Sequence, residues 1–139
     1  MVARSTARSK ARKRALDVLY ASDLRGESPV EALDRAIAEG EGPTNAYTAT
    51  LVRGVVEHQA RIDGLLRDYA EGWTLERMPA VDRNVLRLGL WELLYADDVP
   101  DAVAVSEATA LVRDLSTDES PAFVNGVLGA IQRSKPTLV

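Results

Sequence analysis

Residues 47–69, YTATLVRGVVEHQARIDGLLRDY, decide the fold. Tyr47, Leu51, Val55, His58, Ile62, Leu65 and Tyr69 recur every three or four residues, the spacing that lines up side chains on one face of an α-helix. Gly54 falls on that face, where a missing side chain lets a neighbouring helix approach closely. The same period extends in both directions. Upstream, Leu16, Leu19, Tyr20 and Leu24 mark a first helix starting at about Ser5 or Ser9 and stopped by Gly26. Ser28-Pro29-Val30-Glu31 then combines an N-cap, a first-turn proline and a capping-box glutamate. That second helix carries Val30, Leu33 and Ile37 and ends at Gly40, Gly42 and Pro43.

Downstream, Gly72-Trp73-Thr74 breaks the pattern. A helix follows Met78-Pro79 with Val85, Leu86, Gly89, Leu90 and Leu93, and ends near Asp97-Asp98-Val99-Pro100. Another carries Val105, Ala108, Leu111, Val112 and Leu115. The last opens with Ser120-Pro121 as cap and proline, presents Val124, Val127, Leu128 and Ile131, and is expected to close at Pro136. Asn125-Gly126 suits a hairpin turn in isolation, but its apolar neighbours favour a helix with a small residue at a contact point. No run alternates apolar and polar residues for long enough to pair strands. The expected architecture is all-α: one domain of six or seven helices in two small packed lobes, residues 15–72 and 73–139, preceded by an arm over residues 1–14.

That arm carries the charge asymmetry of the chain. Arg4, Arg8, Lys10, Arg12, Lys13 and Arg14 precede the first carboxylate, Asp17. The totals are 17 basic and 21 acidic residues, so six cations sit ahead of a body with eleven basic and twenty-one acidic side chains, +6 beside −10. Such a block repels itself and is expected to meet a polyanion, with nucleic acid the first candidate and a solubilising tail the alternative. Arg8 and Arg12 share one helix face, while Lys10, Lys13 and Arg14 share another. Cations in a leading turn oppose the helix dipole by about 0.3–1 kcal/mol each, so the arm is expected to fray when free.

Catalytic chemistry finds little support. The 139 residues contain no Cys and one His, which removes disulfides, thiol nucleophiles and the common zinc arrangements. His58 lies on the apolar stripe, where a packed imidazole is the simpler reading than a general base. Asp97-Asp98 reads as a solvated turn, and the nine glycines match neither the P-loop nor the dinucleotide fingerprint. No membrane span, secretory signal, metal site or cofactor is indicated, and a cytoplasmic protein is expected. Reading single-stranded RNA needs aromatic or guanidinium planes for unstacked bases. Aromatics make up only 5% of the chain, leaving Tyr20 and Phe123 as candidates, and residues of that kind are more often core than platform.

Several segments, in order and over nearly the whole chain, resemble the NusB family of bacterial transcription antitermination factors. They are the arginine-rich opening Arg8–Tyr20, Leu51-Val52-Arg53-Gly54-Val55, Ile62-Asp63, Trp73, Val81–Leu93, Val99-Pro100, Val103–Ala108 and, most specific, Ser120-Pro121-Ala122-Phe123-Val124-Asn125-Gly126-Val127-Leu128. The resemblance implies a two-lobed all-helical fold and no enzymatic activity. It also implies binding of boxA-type RNA in ribosomal RNA transcripts, together with the ribosomal protein that acts as NusE, and assembly on RNA polymerase. By motif, Arg8, Lys10, Arg12, Lys13 and Arg14 would touch RNA, with Glu119 and Phe123 on the same path. Tyr20, Glu76 and Asp82 would lie at the surface facing the protein partner or at the shared protein–RNA edge, where acidic groups suit a basic protein. Ser106, Trp91 and the Ser9-Lys10 interruption of the arginine run depart from the usual family pattern. A protein-only adaptor or a homodimer without specific RNA binding is the alternative.

Overall fold

A computed structural model of the chain describes residues 6–138; Arg4 lies outside them. Among these residues there are seven α-helices, α1 (Ala7–Arg25), α2 (Pro29–Ala38), α3 (Ala46–Glu57), α4 (Gln59–Tyr69), α5 (Ala80–Tyr95), α6 (Asp101–Leu115) and α7 (Ser120–Leu138), with one 3-10 turn at Leu75–Arg77. None is long and apolar enough to cross a membrane.

α5 is the axis. Val85, Leu86, Leu88, Gly89, Leu90, Trp91 and Leu93 are all buried, because α1, α3, α4, α6 and α7 each pack against it. A helix apolar around most of its circumference has to be enclosed in this way. One cluster of buried side chains runs from Leu16 through Leu51, Ile62 and Leu90 to Ile131. The close approach expected at Gly54 is made by Trp91: a β-carbon at Gly54 would lie 2.3 Å from the indole.

α1 is pinned to α5 near both ends. At one end Arg12 meets Glu92. At the other, Asp23 accepts from Arg83 Nε at 2.9 Å and from Asn84 Nδ2 at 3.0 Å. Gly26 then ends α1 in the left-handed region, φ 69°, and Glu27 N–H closes the turn on Ser22 O at 3.0 Å.

Several expectations need correction. The arm is helical from Ala7 onward. Thr6 Oγ1 accepts from Ser9 N–H at 3.0 Å as the N-cap, and carboxylates of the body offset the unfavourable dipole. The stripe of residues 47–69 is two helices bent at His58, whose φ −109° and ψ 15° are not helical. His58 N–H still donates to Gly54 O and Ile62 N–H to His58 O, so the bend is a kink, with the imidazole stacked 3.9 Å from the Tyr95 ring. In α2 only Leu33 is buried, and Ile37 is exposed. Ser120 is the first residue of α7 and turns its hydroxyl to Asp82 rather than capping the helix. Gly126 faces open space, so it marks no contact. Pro136 does not close α7, which continues to Leu138 with Arg61 donating to the Leu138 carbonyl at 2.5 Å.

Candidate nucleic-acid interface

The geometry of α1 sorts the arm cations into two sets. Arg12 stands four and seven residues before Leu16 and Leu19, so it shares their inward face. Its side chain is 6% exposed, and its Nε donates to both carboxylate oxygens of Glu92 at 2.9 and 3.0 Å. Nη1 reaches Glu107 at 3.2 Å, Ser9 Oγ donates to the same carboxylate at 2.6 Å, and Tyr47 Oη donates to Glu92 at 2.5 Å. Burial disfavours the Arg12 charge, but the Glu92 hydrogen bond and the two carboxylate charges outweigh it and raise its pKa. Burial and the Glu92 bond also push the Tyr47 hydroxyl well above the usual phenol value. Arg12 is therefore committed to the interior.

Lys10, Lys13 and Arg14 point the other way and are exposed. Lys10 and Arg14 border a groove of about 340 Å³ against the α2–α3 connection, lined also by Ala7, Pro43, Asn45 and Thr48. Arg14 makes one long bond there, to Glu41 O at 3.4 Å. Arg8 sits between the two sets. Its guanidinium lies over the Tyr47 ring at 4.0 Å and pairs with Asp98 at 2.8 Å, holding that carboxyl below its ordinary value.

Glu119 is exposed, and Phe123, half-buried, tilts at 55° against Trp73 with centroids 6.0 Å apart. Trp73 is 48% exposed and makes this pair a visible aromatic step. The step is not joined to the arm. Ser120 binds Asp82 and Arg12 binds Glu92, ten residues apart on α5, which separates the two by roughly 15 Å along that helix.

The expected partner-facing residues divide as well. Tyr20 and Glu76 are exposed. Asp82 is 3% exposed and accepts from Ser116 Oγ at 2.6 Å and Ser120 Oγ at 2.8 Å, so it ties α5 to the α6–α7 connection from inside. Sequence reasoning missed Tyr47, Glu92, Asp98 and Glu107. Glu92 carried a signal: it is a lone carboxylate in the apolar run Leu88–Leu94. Among the described residues no group of three or more His, Cys, Asp or Glu is placed to hold a metal ion.

A helical body that locks part of a basic helix inside and displays the rest beside a groove belongs to the class of binding proteins. Comparison with known proteins gives the particular family. The chain belongs to the NusB family of transcription antitermination proteins, whose family model matches residues 9–133. The transcription antitermination protein NusB of Nocardioides sp. strain JS614 is 83% identical over 133 residues, covering 96% of this chain and 98% of that one. Among solved structures, Thermotoga maritima NusB (T. maritima) superposes with a TM-score of 0.81 at 34% identity, covering 92% of each chain. A chain from a crystal structure of the antitermination factors NusB and NusE in complex with double-stranded RNA superposes at 0.78 with 32% identity, covering 91% of this chain and 96% of that one. The family is one of antitermination factors, not of enzymes.

Proposed function

We propose that this protein binds boxA-type single-stranded RNA of ribosomal RNA transcripts together with a NusE-type ribosomal protein, and that the complex joins RNA polymerase in the cytoplasm to carry elongation past terminators. The observation that carries this reading is the outward face of α1, where Lys10, Lys13 and Arg14 are exposed, Lys10 and Arg14 beside a groove, in an otherwise acidic protein. Phosphate contacts of this kind supply affinity without sequence preference. Selection falls to Phe123 and Trp73 as stacking surfaces, with Glu119 as a hydrogen-bond acceptor for base edges. Arg8 joins the phosphate contacts. Tyr20 and Glu76 serve the protein partner, while Arg12 and Asp82 act by holding the elements that carry these groups. The structural relative solved with NusE and double-stranded RNA supports RNA and a NusE-type protein as the kinds of partner.

The test is a titration of boxA-type RNA and a scrambled RNA, with and without the NusE-type partner, at two salt concentrations. Selective binding that tightens with the partner and collapses in a Lys10→Ala, Lys13→Ala, Arg14→Ala variant is the expected result. Equal or absent binding to both RNAs, with the partner still bound, would leave a protein-only adaptor. Self-association that depends on apolar positions and hardly on salt would point to a homodimer.

A further inference from the structure

Arg8 is held between an aromatic face and a solvent-exposed carboxylate. One face of its guanidinium rests over the Tyr47 ring at 4.0 Å. Tyr47 is itself fixed, because its hydroxyl is bonded to the buried carboxylate of Glu92. Nη2 of Arg8 donates to Asp98 Oδ2 at 2.8 Å. Asp98 stands in the connection between α5 and α6, ninety residues from Arg8 in the chain, and no local geometry forces the two together. The side chains are 42% and 67% exposed, so the pair is open to solvent on its outer side.

These features suit exchange. A carboxylate and a backbone phosphodiester each carry one negative charge and offer a guanidinium the same two-oxygen acceptor geometry, and an RNA strand presents its phosphates in a row, as a polyanion. A solvent-exposed ion pair is weak enough for such a competitor to displace it. The buried Arg12–Glu92 pair offers no such opening. The Tyr47 ring keeps Arg8 in place while its carboxylate partner leaves, since stacking and charge pairing use different parts of the guanidinium.

We propose that Asp98 is an internal stand-in for an RNA phosphate: it holds Arg8 poised on Tyr47 in the free protein and is displaced when a backbone phosphate takes its place. Asp98 is thus a residue that sets RNA affinity without touching RNA. The inference rests on the RNA-binding reading above and adds a competitor to it. A tightly phosphate-bound Arg8 then requires a polyanion strong enough to evict the carboxylate, which biases the arm against weakly charged ligands.

The experiment titrates one boxA-type RNA against the full chain, Asp98→Ala, Arg8→Ala, the double variant Arg8→Ala with Asp98→Ala, and Asp97→Ala. Asp97 is exposed and loses the same charge one residue away. Asp98→Ala is expected to bind about two- to fivefold more tightly, the ratio that one exposed ion pair supports. The gain should vanish in the Arg8→Ala background and be much smaller for Asp97→Ala. Equal gains in both backgrounds, or from Asp97→Ala, would mean general repulsion and overturn the stand-in. An unchanged Asp98→Ala affinity would also overturn it while leaving RNA binding intact. Failure of the unaltered chain to bind RNA would instead overturn the reading on which it rests. Carbon-13 titration of the Asp98 carboxyl gives a separate readout. Arg8 holds that carboxyl low in the free protein, so saturating RNA should move it back toward the ordinary aspartate value. An unmoved value would show that the pair survives in the complex and reject exchange.

Discussion

Arg12 and Glu92 meet inside the protein, eighty residues apart in the chain, with one guanidinium nitrogen bonded to both carboxylate oxygens. The same Glu92 accepts from Tyr47, and the same Arg12 reaches Glu107. One buried charge pair therefore joins α1, α3, α5 and α6. Removing one member of such a pair strands the other without solvent, which costs far more than the pair contributes as a whole.

Arg12→Ala is accordingly expected to destabilise the fold by about 3–5 kcal/mol, a large share of a typical domain's stability. Lys10→Ala and Lys13→Ala should each stay within about 0.5 kcal/mol. Urea denaturation of the three variants checks this. A loss of RNA binding in Arg12→Ala with an unchanged unfolding midpoint would show instead that Arg12 is a direct contact.

The inward turn of Arg12 was legible, though only by combining two segments. Arg12, Leu16, Leu19 and Asp23 follow at intervals of four, three and four, so the apolar stripe of α1 ends in a cation and a carboxylate. Glu92 interrupts an apolar helix that has to be enclosed. Opposite charges at two core positions are a pairing prediction, but the match needs the antiparallel register of α1 and α5, which no local pattern supplies. The kink at His58 was hidden for a different reason. The apolar spacing continues through it, His58 keeps its own two helical hydrogen bonds, to Gly54 and from Ile62, and no proline or glycine stands at it. Asp82 looked like a surface acid because its partners, Ser116 and Ser120, lie more than thirty residues downstream. The Gly54 contact and the start of α2 needed only local rules, and both were read correctly.

Gly54 and Gly64 should respond oppositely to alanine. A β-carbon at Gly54 would press into the Trp91 indole at 2.3 Å, on a side chain enclosed by the core. Overpacking of this kind costs about 1–3 kcal/mol. At Gly64, inside α4, the added carbon meets nothing within 4 Å. Alanine there should gain roughly 0.5–1 kcal/mol by restricting the unfolded chain and favouring helix. Denaturation midpoints of the two variants give the comparison, and equal shifts would contradict the packing at Trp91.

Asp23 supplies a pH dependence of known sign. Burial raises its pKa, but hydrogen bonds from Asn84 and Arg83 and the charges of Arg83 and Arg87 prevail, so it lies below the ordinary aspartate value. A carboxylate with a depressed folded-state value stabilises the protein above the unfolded-state value, and that contribution is lost as pH falls through the folded one. Asp23→Asn should therefore weaken the fold near neutrality and converge with the unaltered protein as pH falls through the folded-state value. Urea midpoints between pH 2 and 7 test this. A constant difference across that range would mean that Asp23 contributes by packing and not by charge.

The salt dependence of RNA binding counts the cations that act. Each phosphate neutralised on a single strand contributes about −0.7 to the slope of log affinity against log salt. Six arm cations acting together would give roughly −4. Arg12 is withdrawn into the interior, and Arg8, Lys10, Lys13 and Arg14 are the described cations of the arm with solvent access. Four contacts give a slope of about −3, and the Lys10, Lys13, Arg14 triple-alanine variant should lower its magnitude by about 2. A slope near −4 that drops by one unit or less in the triple variant would place the phosphate contacts elsewhere on the protein and move the RNA path off the exposed face of α1.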